Sequence, residues 1–182
     1  MSEKPIILNK TTLAKSRLFH IESLDIQFSN GEQRNYERLA RTNKGGAVLI
    51  VPLFDDETVL LIREYSAGVH RYEVGLPKGK VDCGESFINA ANRELKEEVG
   101  FGSRKLTHLS TFSLAPSYLE HTTEIIIAQD LYTEKLCGDE PEELEVIPWK
   151  LSHLNQLLAT GECTEARSIA ALFMTIEYLK KC

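Results

Sequence analysis

The sequence lacks any apolar run that approaches the ~20 residues needed to span a bilayer. Its first ten residues also lack the basic segment, apolar core and small-residue cleavage site of a secretory signal. The four cysteines are scattered, with no Cys-x-x-Cys pair and no histidine at zinc-ligand spacing, so no zinc site is indicated and reduced thiols are expected. These absences predict a cytoplasmic protein with no membrane partner.

The chain also lacks an excess of positive charge. It has 21 Lys and Arg residues against 27 Asp and Glu residues, which gives a formal net charge of −6. Proteins that bind the phosphate backbone of DNA or RNA usually carry a basic face, so we expect no nucleic-acid partner. If the substrate is instead a small polyanion, metal ions or a few placed arginines must overcome the local repulsion.

Length and composition indicate one globular domain with a small appendage. The 182 residues are 42% hydrophobic and 26% charged, which is ordinary for a globular protein. Apolar and polar residues alternate over 24–28, Asn30 and Gly31 favour a hairpin turn, and a return strand is predicted over 33–40. We therefore expect an N-terminal strand or hairpin extension over residues 1–44 and a main domain over residues 45–182.

The main domain mixes strands with helices. Strands are predicted over residues 47–54, 59–65, 106–113, 123–131 and 146–149, and helices over 86–99, 151–159 and 165–180. The first strand is almost wholly apolar, as is typical of a strand buried on both faces. The last helix places its apolar residues on one face. The pattern predicts an α/β fold, namely an α/β/α sandwich around a mixed sheet, with the N-terminal hairpin added.

Three glutamates in the helix predicted over 86–99 carry the strongest chemical signal. Glu94, Glu97 and Glu98 are spaced i, i+3 and i+4, so one side of a helix presents all three. Glu98 falls inside the arc of apolar positions, and Glu94 falls beside it. A solvated acidic face is the ordinary interpretation of such a helix. A carboxylate on the buried side is costly, however, unless it is paired or binds a metal, and oxygen ligands favour Mg²⁺ or Mn²⁺ over zinc.

A loop rich in glycine and proline, over residues 75–84, precedes this helix. Gly75, Pro77, Gly79 and Gly84 let the backbone turn tightly beside the helix start, where its carbonyls and amides can reach metal and phosphate. Such a loop alone is weak evidence, since most are only turns. A loop that leads into three clustered glutamates predicts a site for metal and phosphate.

The segment over 79–101 resembles the Nudix box, a pattern of glycines, glutamates, one arginine and bulky apolar residues at fixed spacing. Every fixed position matches, and these positions are Gly79, Glu85, Arg93, Glu94, Leu95, Glu97, Glu98, Gly100 and Phe101. The order of the surrounding strands also resembles a Nudix fold. The resemblance implies a hydrolase in which divalent metal activates a water that attacks one phosphorus of a diphosphate.

The resemblance to the Nudix family also implies roles by position. The implied ligands of Mg²⁺ or Mn²⁺ are Glu94, Glu97, Glu98 and the backbone carbonyl of Lys78. Glu97 is also one of the implied catalytic residues. Arg93 and Glu85 are implied as the pair that orients the glutamates.

Outside the box, the chain resembles the ADP-sugar pyrophosphatase branch of the family. The matching segments lie at residues 62–65, 72–75, 115–118 and 138–142. In that branch a loop after the last long strand brings a general base to the metals, which implies Glu140 as the base and Glu142 as a candidate metal contact. The branch implies small ADP-linked substrates, namely ADP-ribose, NADH and diadenosine polyphosphates, with AMP as a product.

The chain departs from this branch at two positions. Many members have Glu where this chain has Gly75 and Arg where it has Ser66. The candidate residues for substrate contact are Arg38, Arg63, Arg71 and Tyr118, although isolated surface arginines are usually solvated and such a tyrosine more often only packs. The branch commonly dimerises through its N-terminal strands, here residues 16–40. The resemblance therefore implies a homodimer in which Arg38 can reach the partner's site.

Two other functions stay open. The same chemistry would serve a nucleoside triphosphate pyrophosphohydrolase or an enzyme that acts on RNA ends. A Nudix module could also bind a nucleotide without catalysis. The intact metal-ligand positions count against the second alternative, because a pure binding module has no need of three clustered glutamates.

Overall fold

The computed structural model describes residues 3–41 and 45–181, and these form two compact units. The first unit contains residues 3–41 and 113–122, and the second contains residues 45–112 and 123–181. Within the described residues, no helix is long and apolar enough to cross a membrane.

An antiparallel sheet of three strands dominates the first unit. The strands are β1 (Ile6–Lys15), β2 (His20–Gln27) and β3 (Gln33–Leu39), in the order β1-β2-β3. The predicted hairpin is confirmed, with Gly31 in the left-handed region at a φ of 84°. The sequence did not indicate β1, because all ten of its residues are exposed and only its pairing with β2 defines it.

The second unit contains two sheets. Its strands are β4 (Ala47–Pro52), β5 (Thr58–Ser66), β6 (Arg71–Gly75), β7 (Lys78–Lys80), β8 (Phe101–Ser113), β9 (Thr122–Thr133) and β10 (Glu145–Lys150). One sheet has the order β7-β4-β9-β8 and is mixed, since β4 runs parallel to β9 and antiparallel to β7. The other sheet has the order β10-β5-β6 and is antiparallel.

Helices cover both sides of these strands. They are α1 (Phe87–Glu94), a π-helical segment (Leu95–Val99), a 3₁₀ turn (Leu151–His153), α2 (Leu154–Ala159) and α3 (Ala166–Leu179). Along β4, Val48 and Ile50 pack in the core cluster of α1, whereas Leu49 and Val51 pack in the cluster of α2 and α3. This two-sided burial explains the continuous apolar run of β4 and confirms the predicted α/β/α sandwich with a mixed sheet.

The elements around the glutamates differ from the prediction in two places. The loop over 75–84 contains β7, which pairs with β4, and its first residue ends β6. The helix predicted over 86–99 begins as expected, with the Ser86 hydroxyl accepting a hydrogen bond from the amide of Asn89 at 3.2 Å. Its last turn is π-helical rather than α-helical. Gly100, in the left-handed region at a φ of 82°, ends the helix. Turns of this kind occur often at functional sites.

Two neighbouring residues of α3, one buried and one exposed, allow the packing of this helix against the core to be tested. Leu172 is fully buried beneath the β4 sheet, and Phe173 is 45% exposed. We expect Leu172→Ala to lower the free energy of unfolding by about 2–5 kcal/mol, because it leaves a cavity. Phe173→Leu should change it by less than about 0.5 kcal/mol. Urea titration of both variants measures the difference, and equal effects would contradict this packing of α3.

Candidate active site

The guanidinium of Arg93 lies at the centre of the glutamate cluster. Its Nε and Nη2 donate to the two carboxylate oxygens of Glu85 at 3.1 and 3.0 Å. Its Nη1 donates to Glu94 at 2.8 Å and to Glu97 at 3.0 Å. Nη2 also donates to the backbone carbonyl of Lys80 at 2.9 Å. One cation thus holds three carboxylates and fixes the loop before α1 to the helix.

Burial and these contacts shift the pKa values of Glu85 and Glu94 in opposite directions. The hydrogen bond from Arg93 holds the pKa of Glu85 below its usual value, in spite of partial burial. The pKa of Glu94 is raised, chiefly by burial, and the charges of Glu97 and Asp139 add to this effect. Three carboxylates around one guanidinium leave a local excess of negative charge, which favours a further cation.

Glu98 is the buried member of the cluster, as its position on the apolar side of the helix predicts. It is 5% exposed, and its Oε2 accepts a hydrogen bond from the backbone amide of Lys78 at 2.9 Å. Burial raises the pKa of Glu98 to about 8, and the charges of Glu94 and Glu64 raise it further against the effect of that hydrogen bond. A carboxylate in this position needs a cation nearby in order to stay ionised at neutral pH.

Gly79 lets β7 approach the helix closely. A Cβ atom at this position would collide with the carboxylate of Glu94. A side chain at position 79 would therefore displace the Glu94 carboxylate from its present place beside Arg93. Gly75 has a different environment, since a Cβ there would meet the Ser168 hydroxyl at 3.1 Å.

The acidic loop between β9 and β10 lies over the end of this helix. Residues 135–144 and the three glutamates of the box together line a groove of about 380 Å³. Lys135 Nζ donates to the carbonyl of Glu97 at 2.8 Å, and the amide of Leu136 donates to the carbonyl of Lys96 at 3.2 Å. Carbonyls at a helix end lack partners within the helix, so these two anchor the loop.

The loop brings the predicted Glu140 and Glu142 into the same groove as the glutamates. The pKa of Glu140 is raised, first by burial and then by the charges of Glu64 and Asp139. Glu142 accepts a hydrogen bond from the Tyr72 hydroxyl at 2.8 Å. The two loop carboxylates therefore have different surroundings, because one lies among like charges and the other is held by a neutral donor.

Glu64 belongs to this site, although the sequence prediction gave it no role. It lies in β5 and pairs with Lys78 Nζ, and its charge raises the pKa values of both Glu98 and Glu140. The alternation of side chains along β5 could have indicated this position. Leu60 and Ile62 face the core cluster of α1, and position 64 is the next residue on the same face.

The two arginines of the second unit that were predicted to contact substrate pair with nearby carboxylates. Arg63 contacts Glu145 at 2.8 Å and Glu162 at 3.4 Å. Arg71 pairs with Glu73, a carboxylate that is 8% exposed. Burial raises the pKa of Glu73, but hydrogen bonds from Thr164 and Arg71 outweigh burial and lower it overall. A substrate contact for either arginine stays a prediction.

The other two candidate residues for substrate contact lie in the first unit. Arg38 contacts Glu22 at 3.0 Å and Glu120 at 3.1 Å, so its guanidinium is already paired there. Tyr118 is 56% exposed. Both residues line a largely apolar groove of about 450 Å³ that also includes Tyr36. Their contact with substrate also stays a prediction.

The donors of the glutamate site fit a hard divalent cation. The donor set is all oxygen, the backbone lies close at Gly79, and Glu98 is buried with a raised pKa. In the described part of the chain, no three His, Cys, Asp or Glu side chains converge into a finished metal cage. Glu94 and Glu97 each direct one carboxylate oxygen to Arg93.

Comparison with known proteins places the chain among Nudix proteins. The NudE-type Nudix hydrolase N-terminal domain matches residues 5–38, and the NUDIX domain matches residues 43–173. The chain is 53% identical to the ADP compounds hydrolase NudE of Escherichia coli (strain K12), over 98% of this chain and 95% of that protein. It is 28% identical to the ADP-ribose pyrophosphatase of Bacillus subtilis (strain 168), over 95% and 94% of the two chains.

A solved structure agrees over the same length. The crystal structure described as that of an ADP compounds hydrolase has a TM-score of 0.91 and 52% sequence identity, and the match covers 100% of this chain and 97% of that chain. The resemblance predicted from the box and from the segments outside it is therefore confirmed, and so is the fold. The NUDIX domain match covers most of the chain. The chain belongs to the Nudix hydrolase family.

Proposed function

We propose that this protein hydrolyses the diphosphate bond of small ADP-linked compounds, namely ADP-ribose, NADH and diadenosine polyphosphates, and releases AMP. The observation that carries the proposal is the groove in which three helix glutamates face Glu140 of the acidic loop. The names of the two relatives, which refer to ADP compounds and to ADP-ribose, support the ADP half of the substrate.

Mg²⁺ or Mn²⁺ is the cofactor of this proposal. Its proposed ligands are Glu94, Glu97, Glu98 and the carbonyl of Lys78, with Glu142 as a further contact. When bound, a divalent cation neutralises the diphosphate and lowers the pKa of the attacking water. Arg93 and Glu85 are positioning residues, because their paired hydrogen bonds fix the side chains beside them.

Glu140 is the proposed general base. The water oxygen forms a bond to one phosphorus, the bridging P–O bond breaks, and the water proton passes to the Glu140 carboxylate. The pKa of Glu140 is raised by burial and by the charges of Glu64 and Asp139, and this suits the role because a stronger base accepts a proton more readily. Glu140 also lines the same groove as the three helix glutamates, which supports a role close to their metal.

The two alternatives fit the site less well. A hydrolase of triphosphates or RNA ends would meet a more highly charged substrate than ADP-ribose or NADH, and the groove is lined by acidic side chains of both the helix and the loop. A module that only binds a nucleotide would retain a buried carboxylate at position 98 at a cost and without a use for it.

A second copy of this chain is the proposed partner. All ten residues of β1 are exposed, and Ile6, Leu8 and Leu13 are among its apolar side chains. Apolar groups also line the groove of the first unit beside Arg38 and Tyr118. An exposed apolar edge strand is prone to pair with another chain, and a small sheet needs a cover. Association through this face would supply that cover.

A substrate panel tests the activity. We expect AMP as a product from ADP-ribose, NADH or diadenosine polyphosphates in the presence of Mg²⁺ or Mn²⁺. Chelator should abolish turnover, because the groove alone would repel a diphosphate. Chromatography of the products measures the outcome. Full activity without divalent metal would exclude the mechanism, and cleavage of only a nucleoside triphosphate would favour the first alternative.

Two isosteric substitutions separate metal binding from base catalysis. Glu98→Gln should lower kcat by at least ~10³-fold and weaken Mn²⁺ binding, because it removes charge that the cation needs. Glu140→Gln should lower kcat by ~10²–10⁴-fold with Mn²⁺ affinity nearly unchanged, since general-base catalysis has that size. It should also change the acidic limb of the pH–rate profile. Near wild-type kcat in Glu140→Gln would make Glu142 or Glu143 the next candidate.

Stability gives an independent readout for Glu98. The pKa of Glu98 in the folded protein, about 8, lies above the ordinary glutamate value of 4.5, so the folded state holds the proton more tightly. Stability from this group is complete below pH 4.5 and is lost as pH rises through 8. In chelator at pH 8, Glu98→Gln should therefore melt at or above the wild-type temperature despite its inactivity. A much lower melting temperature would show that Glu98 is a structural partner instead.

The dimer is tested by sedimentation at micromolar concentration. Wild-type protein should be a dimer, and Ile7→Asp should shift it towards monomer, because Ile7 lines the apolar groove of the first unit. Phe173→Asp is the matched control, since it places the same charge at an exposed apolar residue of the second unit. A wild-type monomer with intact activity would exclude a site shared between copies.

A further inference from the structure

Three exposed rings form a cluster in the second unit. The ring centroids of Tyr65 and Tyr72 are 5.8 Å apart, with an angle of 69° between the ring planes. The centroids of Tyr65 and His70 are 5.9 Å apart, with an angle of 87°. Tyr65 is 43% exposed and Tyr72 is 49% exposed, so the rings pack against each other and still present area to solvent.

Specific hydrogen bonds hold this cluster in place. The Tyr65 hydroxyl and His70 Nδ1 are 2.5 Å apart. His70 has a φ of 54°, a left-handed conformation that is costly for a residue other than glycine. A strained residue with its ring tied to a neighbour is typical of a functional position, because relaxation would move the ring away.

The cluster is joined to the active-site groove by one side-chain contact. Tyr72 donates its hydroxyl hydrogen to Glu142 at 2.8 Å, and Glu142 lines the groove together with the glutamates of the box. Tyr65 and Tyr72 also lie opposite each other in the paired strands β5 and β6. The rings of Tyr65 and Tyr72 are therefore carried by paired strands, His70 lies in the turn between them, and Tyr72 connects the cluster to the groove through Glu142.

We propose that Tyr65, His70 and Tyr72 form a stacking platform for a nucleobase of the substrate. The proposal rests on the proposed function, because it assumes a substrate with a nucleoside half. The groove beside the platform is acidic and repels phosphate, so an uncharged contact with the base would add affinity that this repulsion does not reduce. Stacking supplies such a contact, since every base has a π face and the rings are already ordered.

Binding of two fragments tests the platform without any turnover. AMP contains a base and ribose 5-phosphate does not, and both are titrated by calorimetry in the presence of Mg²⁺. Tyr65→Leu should weaken AMP binding by about tenfold, which is typical for the loss of one stacking ring, and leave the affinity for ribose 5-phosphate unchanged. Tyr65→Phe keeps the ring and should restore AMP affinity to within about twofold of wild type.

Controls separate stacking from general damage. Phe173→Leu removes an exposed ring elsewhere in the second unit and should leave both affinities unchanged. If Tyr65→Leu does not fold, Tyr72→Leu against Tyr72→Phe repeats the comparison and isolates the ring from the hydroxyl contact with Glu142. Unchanged AMP binding in the leucine variant, or an equal loss for both fragments, would overturn the platform. If AMP binding falls as expected but no ADP compound is cleaved, the proposed function fails and the platform stands.

Discussion

The site depends on a single guanidinium that holds carboxylates which would otherwise repel one another. Arg93 donates to Glu85, Glu94 and Glu97, and it also binds the carbonyl of Lys80. A lysine could not replace it, because the planar fork of arginine is what allows a paired contact with Glu85 while a third nitrogen faces the other two glutamates. The position of α1 against β7, and with it the close approach at Gly79, follows from this contact.

The end of the same helix fixes the start of the acidic loop through hydrogen bonds. The carbonyls of Lys96 and Glu97 accept hydrogen bonds from residues 135–136, so the loop begins at a fixed point. Further along, Glu142 is held by Tyr72 on β6. A loop fixed at both sides of the groove can keep Glu140 in place without a rigid backbone of its own. Loops that carry function on a rigid scaffold commonly have this arrangement.

Local patterns in the sequence were sufficient for much of the fold and for the centre of the site. The alternation over 24–28, the apolar run of β4 and the spacing of the glutamates are each visible within a short stretch of sequence, because burial on one or both faces of an element sets a local pattern. Contacts between segments that are far apart in the chain leave no such local pattern in the sequence. The exposed strand β1, the inclusion of residues 113–122 in the first unit, and the pairing of Glu64 with Lys78 each arise from chain segments that meet only after folding.

The burial of Glu98 affects both the stability of the fold and the attraction of the site for a cation. An ordinary core position would carry an apolar residue, which would pack beside Leu95 and Val99 without the cost of a carboxylate. The chain instead retains a group whose pKa is raised to about 8 by its surroundings and whose ionised form needs a cation. The same burial that weakens the fold near neutral pH strengthens the attraction for a divalent ion, because little water remains to screen the charge. In the proposed mechanism, this buried carboxylate supplies part of the attraction for the divalent ion that allows an acidic groove to accept a diphosphate.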